Sequence, residues 1–455
     1  MAIYAMAAQS EIRSNFLRFD SEYFRPQHVT AFKLLGSISR GYRLGHICKK
    51  VTQGSNPFFS NNGIPCLNGK NIYFGTMQEG QPNYVSHAEY NRLRNYVLKK
   101  DDLVITLKHA TKIGRAWIVE DDSPRIFSRN VGLIRLRSDS PIEPSVLLLY
   151  LWTNYGQLAL DRCATGGTSG QITLPINELK RMPVPSLLDK EQGEIDAVFW
   201  RSRKAARKSF ELYEQAEKLL ESELGLDQLG FQKSVGYTAR FSDLELSRRA
   251  DAEFFNPELR FLWKELAKKF DFKAIPHFAK ILKFSNPTYG TDGLPIVTQK
   301  HLGMIAPAGY VGDLVATNAW VQSNHSAVLR QKDLLYYSVG AYLGKTNLWL
   351  ACDEAVPASF ITILRCHEET DAGFLQLLLN SRYGIIQSKC FQSGTSQQYI
   401  YPKDIQRFLI PHVSKFLRER VHNLLIESYN KHQESARLLE EAKTRVEQLI
   451  EEAVR

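Results

Sequence analysis

Three short stretches have the residue types of a catalytic site, and each falls short in its spacing. Gly340–Thr346 reads GAYLGKT, with three residues between the first Gly and Gly-Lys-Thr. A phosphate-cradling loop needs one more. Ser55–Phe59 reads SNPFF, one Pro short of the Asn-Pro-Pro-Phe loop that holds a target adenine, and no Gly-rich loop after a strand supplies a methyl-donor site. Asp161 with Glu178–Lys180 imitates the Asp…Glu-x-Lys of a metal-dependent nuclease. Each stretch has a counterpart elsewhere in the chain, and no counterpart repeats the chemistry: ATKIGRA, SNPTY and DIQ answer them in turn. The His residues form no ligand-like pairs. Cys48, Cys66, Cys163, Cys352, Cys366 and Cys390 include no Cys-x-x-Cys, so neither a metal site nor a disulfide framework is expected, and a reducing cytoplasm fits. Duplicated positions with catalytic residues in neither copy point to binding: not an enzyme, and no cofactor of its own.

Those counterparts belong to an internal repeat. Cys163–Pro185, CATGGTSGQITLPINELKRMPVP, is answered by Cys390–Pro411, CFQSGTSQQYIYPKDIQRFLIP. DSEYFRP (Asp20–Pro26) is answered by DAEFFNP (Asp251–Pro257), and SNPFFSNNGIPCLNGKNI by SNPTYGTDGLPIVTQKHL. DLVITLKHATKIGRAWIV (Asp102–Val119) is answered by DLLYYSVGAYLGKTNLWL (Asp333–Leu350). The blocks keep their order at a shift of 226–231 residues, so the chain consists of two copies of one unit.

Each copy divides in two. Its first part is mixed α/β. DDLVITL, RAWIVE, VGLIRLR and SFITILR are short β-branched and aromatic runs bounded by Gly, Pro and Asp, which predicts strands. One helix is expected over PSVLLLYLWTNYGQLAL and one over AGFLQLLLNSRYGIIQSK. The second part is a long helix with small and apolar residues at 3–4 spacing. Ile195, Val198, Ser202, Ala205, Ser209, Leu212, Ala216 and Leu219 form the first seam. Val421, Leu424, Ser428, Lys431, Ser435, Leu438, Ala442, Arg445 and Leu449 form the second. Sustained heptads predict helix-on-helix packing. The predicted fold is therefore α+β: two pseudo-twofold-related α/β domains at 1–186 and 248–411, long helices at 187–226 and 412–455 pairing as an antiparallel coiled coil, and a linker at 227–247.

The net charge is +10, and residues 1–190 hold 24 basic against 15 acidic side chains, whereas 241–411 hold 18 against 16. An anionic partner suits the first copy best. The start, MAIYAMAAQS, lacks the pattern of a signal peptide, and the apolar run Ser145–Trp152 is too short to span a membrane. Two similar readers separated by helices of about 45 Å match the 34–36 Å repeat of duplex DNA, roughly one half-site per reader. Differing side chains in the copies predict different half-sites. Candidate DNA-contacting residues are Lys70, Asn71, Lys108, His109, Lys112, Arg115, Ser169 and Gln171 in the first copy, and Lys300, Tyr342, Lys345, Ser396 and Gln398 in the second. The basic block Arg201–Lys208 is expected on an exposed helix face.

The stretch LPINELKRMPVPSLLDKEQGEI (Leu174–Ile195) carries a family resemblance through Leu179, Pro183, Pro185, Glu191, Gln192 and Ile195. The Asp-Leu…Gly block adds Asp102, Leu103 and Gly114, and Asp333, Leu334 and Gly344. In these the chain resembles a specificity subunit of a type I restriction-modification system. The second copy departs from the pattern, with Pro411 but no Pro-x-Pro and no Glu-Gln. The resemblance implies two target-recognition domains on paired antiparallel helices and a bipartite, asymmetric duplex DNA target. It also implies two DNA-adenine methyltransferase subunits and restriction–translocase subunits as partners. S-adenosylmethionine, Mg and ATP would sit on those partners, in a prokaryotic cytoplasm. Three alternatives stay open: a related type IIB-like recognition subunit, a self-contained methyltransferase or nuclease, and a coiled-coil scaffold with small-ligand domains.

Overall fold

The computed structural model describes residues 23–39, 42–73, 76–77, 83–109, 113–166, 171–189, 191–230, 236–298, 314–340, 342–394 and 396–453. They form two compact units, Met1–Lys204 with Ser435–Arg455, and Ala205–Glu434.

The first unit is built on a four-stranded antiparallel sheet in the order Cys48–Gln53, Val131–Leu136, Leu103–Thr106, Ala116–Ile118. The two inner strands are rich in Val, Ile and Leu, and Leu103–Thr106 and the first four residues of Val131–Leu136 are buried. Helices Pro144–Trp152 and Asn154–Cys163 lie in the same core as this sheet. A second sheet orders Ile126–Phe127, Ile64–Leu67, Asn83–Val85 and Phe59–Ser60. The second unit repeats the plan. Its main sheet runs Ala279–Leu282, Ile361–Cys366, Leu334–Tyr337, Thr346–Leu348, again antiparallel. Its smaller sheet holds Val315–Ala316, Tyr289–Val297 and Val356–Pro357.

The single helix expected after each sheet is in fact two. Thr153 ends the first helix and caps the next, its hydroxyl accepting from Gly156 N at 3.0 Å. Ser381 stands at the matching break, between Glu369–Asn380 and Arg382–Phe391. The glycines that follow are needed for the close approach. A Cβ on Gly156 would lie 2.1 Å from Tyr150 O, and one on Gly384 would lie 2.3 Å from Leu379 O. The polar residues at the breaks, Thr153-Asn154 and Asn380-Ser381-Arg382, are the signal of it, a capping residue before a new helix.

The long helices span Gln192–Leu224 and Lys415–Glu452. The first follows a 3-10 turn at Ser186–Asp189, and at the second Ser414 Oγ accepts from Leu417 N at 3.3 Å. In the first unit the pairing is antiparallel: Ser202 Oγ donates to Ser435 O at 2.8 Å, while Arg445 clasps Glu191 through two bonds of 2.6 and 2.7 Å. In the second unit Ser428 Oγ donates to Ser209 O at 2.7 Å. In the repeat Ser202 corresponds to Ser428 and Ser435 to Ser209, so each unit makes the same contact. Small residues let the backbones come this close, and the hydroxyls are satisfied in the process.

The seam residues Ile195 and Ser202 of the first unit, with Ser435, Leu438, Ala442 and Leu449, are buried, as are Ala205, Ser209, Leu212, Ala216, Val421 and Ser428 of the second. Val198, Leu219 and Leu424 are only partly buried and line open grooves along the helix pairs. A second apolar stripe turns toward each globular core: Phe199, Val446 and Ile450 in the first unit, and Tyr213, Leu220, Leu425 and Tyr429 in the second. Each long helix thus has two packed faces. One exception to the expected exposed basic face is Arg203. It lies 4.5 Å over the Trp117 ring and donates to Glu120 at 2.8 Å, because a guanidinium can stack and pair at once.

Candidate nucleic-acid interface

Segments that flank the repeated Gly-Thr-Ser block meet the strand–turn–strand block in each unit. In the first, Thr165–Gly166, Ile172–Thr173 and Lys108–His109 form a three-stranded antiparallel ladder. Leu174 N donates to Leu107 O at 2.8 Å and closes its end. In the second, Tyr399 bridges Ser393 on one side and Val339 on the other, and Ile400 N donates to Ser338 O at 2.9 Å. These are the same pairings at matched positions. The segments are too short to hold this register alone. The main sheet fixes one end, through Leu103–Thr106 and Leu334–Tyr337.

The ladder gathers several candidate residues of the first unit. Lys108 and His109 are half-buried on one strand, and Gln171, which opens the facing strand, is exposed. Lys70 is exposed on the 3-10 turn Gly69–Asn71. That turn lies against the ladder, since a Cβ on Gly69 would be 3.8 Å from Lys108 O. Arg115 is half-buried and its Nη2 reaches Gly69 O at 3.4 Å. Asn71 departs from its expected role. It is 3% exposed and its Oδ1 accepts from Asn68 N at 2.9 Å, so it shapes the turn that presents Lys70. Lys112 and Ser169 lie outside the described residues.

In the second unit Gln398 takes the ladder position of Ile172, one place along from Gln171, and is exposed, its backbone carbonyl accepting from Gly340 N at 3.0 Å. The Gly340 turn carries Tyr342, 55% exposed, with Lys345 Nζ 4.6 Å from its ring centroid. Ser396 is exposed in the tight turn between Ser393 and Tyr399. Gly394 makes that turn possible, at φ +94 with only 2.3 Å between its ideal Cβ and Gln397 O. Gly394 and Ser396 therefore belong to a turn, which also places Gln398. Lys300 lies outside the described residues.

Sequence reasoning missed two features. Tyr399 and Tyr401 stack with ring centroids 6.4 Å apart, and Lys403 lies 5.8 Å over Tyr401. The alternation YIYPK signalled them. Phe58, 78% exposed, has Arg92 5.7 Å from its ring, and its backbone N is fixed to the buried Glu89 at 2.9 Å. Exposed aromatics beside cations are suited to stacking on bases. Among the described residues no group of three His, Cys, Asp or Glu could hold a metal, and no helix is long and apolar enough to cross a membrane.

No family model matches the chain. Over 136 residues it is 25% identical to the type I restriction enzyme MjaVIII specificity subunit of Methanocaldococcus jannaschii, which is 29% of this chain and 32% of that protein. The match thus spans about a third of the relative's length. Among solved structures, the S subunit of a type I restriction-modification system from M. genitalium aligns over 90% of this chain and 94% of its own, at 12% identity and a TM-score of 0.46. The HsdS subunit of Thermoanaerobacter tengcongensis aligns over 91% and 96%, at 16% identity and a TM-score of 0.27. The resemblance carried by the motifs recurs in this comparison: the chain is similar to specificity subunits of type I restriction-modification systems.

Proposed function

We propose that this chain is the non-catalytic DNA-recognition subunit of a type I restriction-modification complex. Each unit reads one half of a bipartite, asymmetric duplex target. The observation that carries this reading is the ladder itself. It is built by the same backbone pairings in both units and presents Lys70, Lys108, His109 and Gln171 in one, and Tyr342, Lys345, Ser396 and Gln398 in the other. One scaffold with two sets of polar and cationic side chains is what two different half-sites require. The chain directs two adenine methyltransferase subunits, and with them a restriction–translocase subunit, to the target. Those partners hold S-adenosylmethionine, Mg and ATP.

The test is methylome sequencing of cells expressing the chain with its methyltransferase. One bipartite asymmetric motif is expected. Replacing residues 20–186 with the corresponding part of another specificity subunit changes one half of the motif and leaves the other. A change in both halves together overturns the two-reader assignment, and a motif unchanged by the swap overturns it as well.

A further inference from the structure

The two units differ sharply at one place beside the ladder. Lys283 directly follows the strand Ala279–Leu282, and its counterpart in the first unit is Gln53; the strand registers agree, with Leu282 opposite Ile363 and Thr52 opposite Leu133. Lys283 Nζ donates to Ser338 Oγ and to Ile361 O, and Ser338 Oγ in turn donates to Phe360 O at 3.0 Å. Ser338 is fully buried, and its counterpart Leu107 makes the same backbone bond with no polar side chain. Gln53 instead donates to Arg129 O at 2.6 Å. The second unit therefore has a lysine–serine polar pair where the first has a glutamine and a leucine.

Lys283 lines a cavity of about 310 Å³ with Gln397, Tyr399 and Tyr401, directly beside the ladder. Among the described residues no carboxylate lines it. A lysine ammonium has three donors, and two are committed to Ser338 and Ile361, so the third has a set direction and an acceptor to find. A phosphate needs no such preorganisation, because an exposed lysine meets it as a mobile point charge. A base edge does need it. Among base edges, a lysine is best matched by the paired acceptors N7 and O6 of guanine.

We propose that Lys283 is a specificity-determining residue of the second unit and reads a guanine in that unit's half-site through its N7 and O6 acceptors. The proposal rests on the DNA-recognition reading above. It is tested with the wild-type chain in complex with its methyltransferase, on duplexes in which each guanine of the motif is replaced in turn by 7-deazaguanine. One substitution in the second half-site is expected to weaken binding about fivefold or more, and the same base changed to adenine by roughly 5- to 150-fold. In the Lys283→Met complex that guanine loses its preference, while the first half-site is still methylated. Lys283→Gln, which copies the first unit, relaxes the same position. A second half-site without guanine overturns the proposal. So does a Lys283→Met complex with the wild-type motif and uniformly weaker, less salt-sensitive binding, which marks a phosphate contact. A wild-type complex with no bipartite motif overturns the parent reading instead.

Discussion

In the first unit Arg135 grips Asp102 through two bonds of 2.6 Å and donates to Val97 O at 3.1 Å. In the second, Arg365 grips Asp333 through bonds of 2.8 and 2.7 Å and donates to Val328 O at 3.0 Å. Asp102 also accepts from Lys99 N, and Asp333 from Arg330 N, at 2.7 and 2.8 Å. A few residues away, on the ladder, Lys108 and His109 stand opposite Val339 and Gly340, and Gln53 opposite Lys283. Side chains that hold the sheet are the same in both copies, down to the third hydrogen bond. Side chains that face the cavity or solvent differ. A buried ion pair tolerates little change because removing either member strands a charge. A recognition surface has no such constraint from the fold.

The largest test of this contrast falls on the matched ion pairs. Asp102→Ala and Asp333→Ala are each expected to destabilise their own unit by about 3–5 kcal/mol. The loss is read as reduced amide-exchange protection in that unit's main sheet. Effects of very different size would break the equivalence of the two pairs.

Next come the residues that differ. Lys108→Ala and Lys345→Ala are expected to cost roughly 1–3 kcal/mol of binding each, at one half-site only. Competition binding with duplexes mutated in either half separates the two. Equal sensitivity of both halves to one variant would show that the ladders do not act independently.

A pH dependence should appear in the second unit alone. Burial lowers the pKa of Lys283 from its ordinary value to about 8, because the cavity penalises the ammonium. The other titratable side chains lining the cavity are Tyr399 and Tyr401. The lysine is charged below that pH and loses its proton as pH rises through it. Discrimination at the second half-site should then fall by up to about tenfold per pH unit, or about 1.4 kcal/mol. Lys283→Gln should abolish the trend. Equal decline at both half-sites would assign it to something other than Lys283.

The smallest effect should come from the helix seam. Ser202→Ala and Ser428→Ala each delete one buried hydroxyl bond to a backbone carbonyl. A loss of about 1 kcal/mol in each is expected in chemical denaturation. Similar values would sharpen the finding that the two contacts are copies of one.

The repeat made much of the architecture legible. Asp102 and Asp333 stood out as fixed points of two matched blocks, and both prove to be buried anchors of the main sheets. Ser202, Ser209, Ser428 and Ser435 stood out through heptad spacing, and all four are buried between helices. The candidate surface was less legible. Asn71 has a reader's side chain, but the 3-10 turn turns it inward. Lys283 gave no signal, because its counterpart is a glutamine and its partners Ser338 and Ile361 are more than fifty residues away. Arg203 read as surface charge until Trp117 and Glu120 were seen beside it.

Periodicity and repetition in the sequence by themselves determined the number of units, the strands Leu103–Thr106, Ala116–Ile118, Val131–Leu136 and Ile361–Cys366, and the two long helices. They do so because burial must recur at the period of the backbone. Only tertiary structure decided which polar side chains turn inward, and that Lys283 and Tyr401 line one cavity. Those outcomes depend on contacts between residues far apart in the chain, such as Lys283 against Ser338. Local spacing has no information about which partner the fold brings within reach.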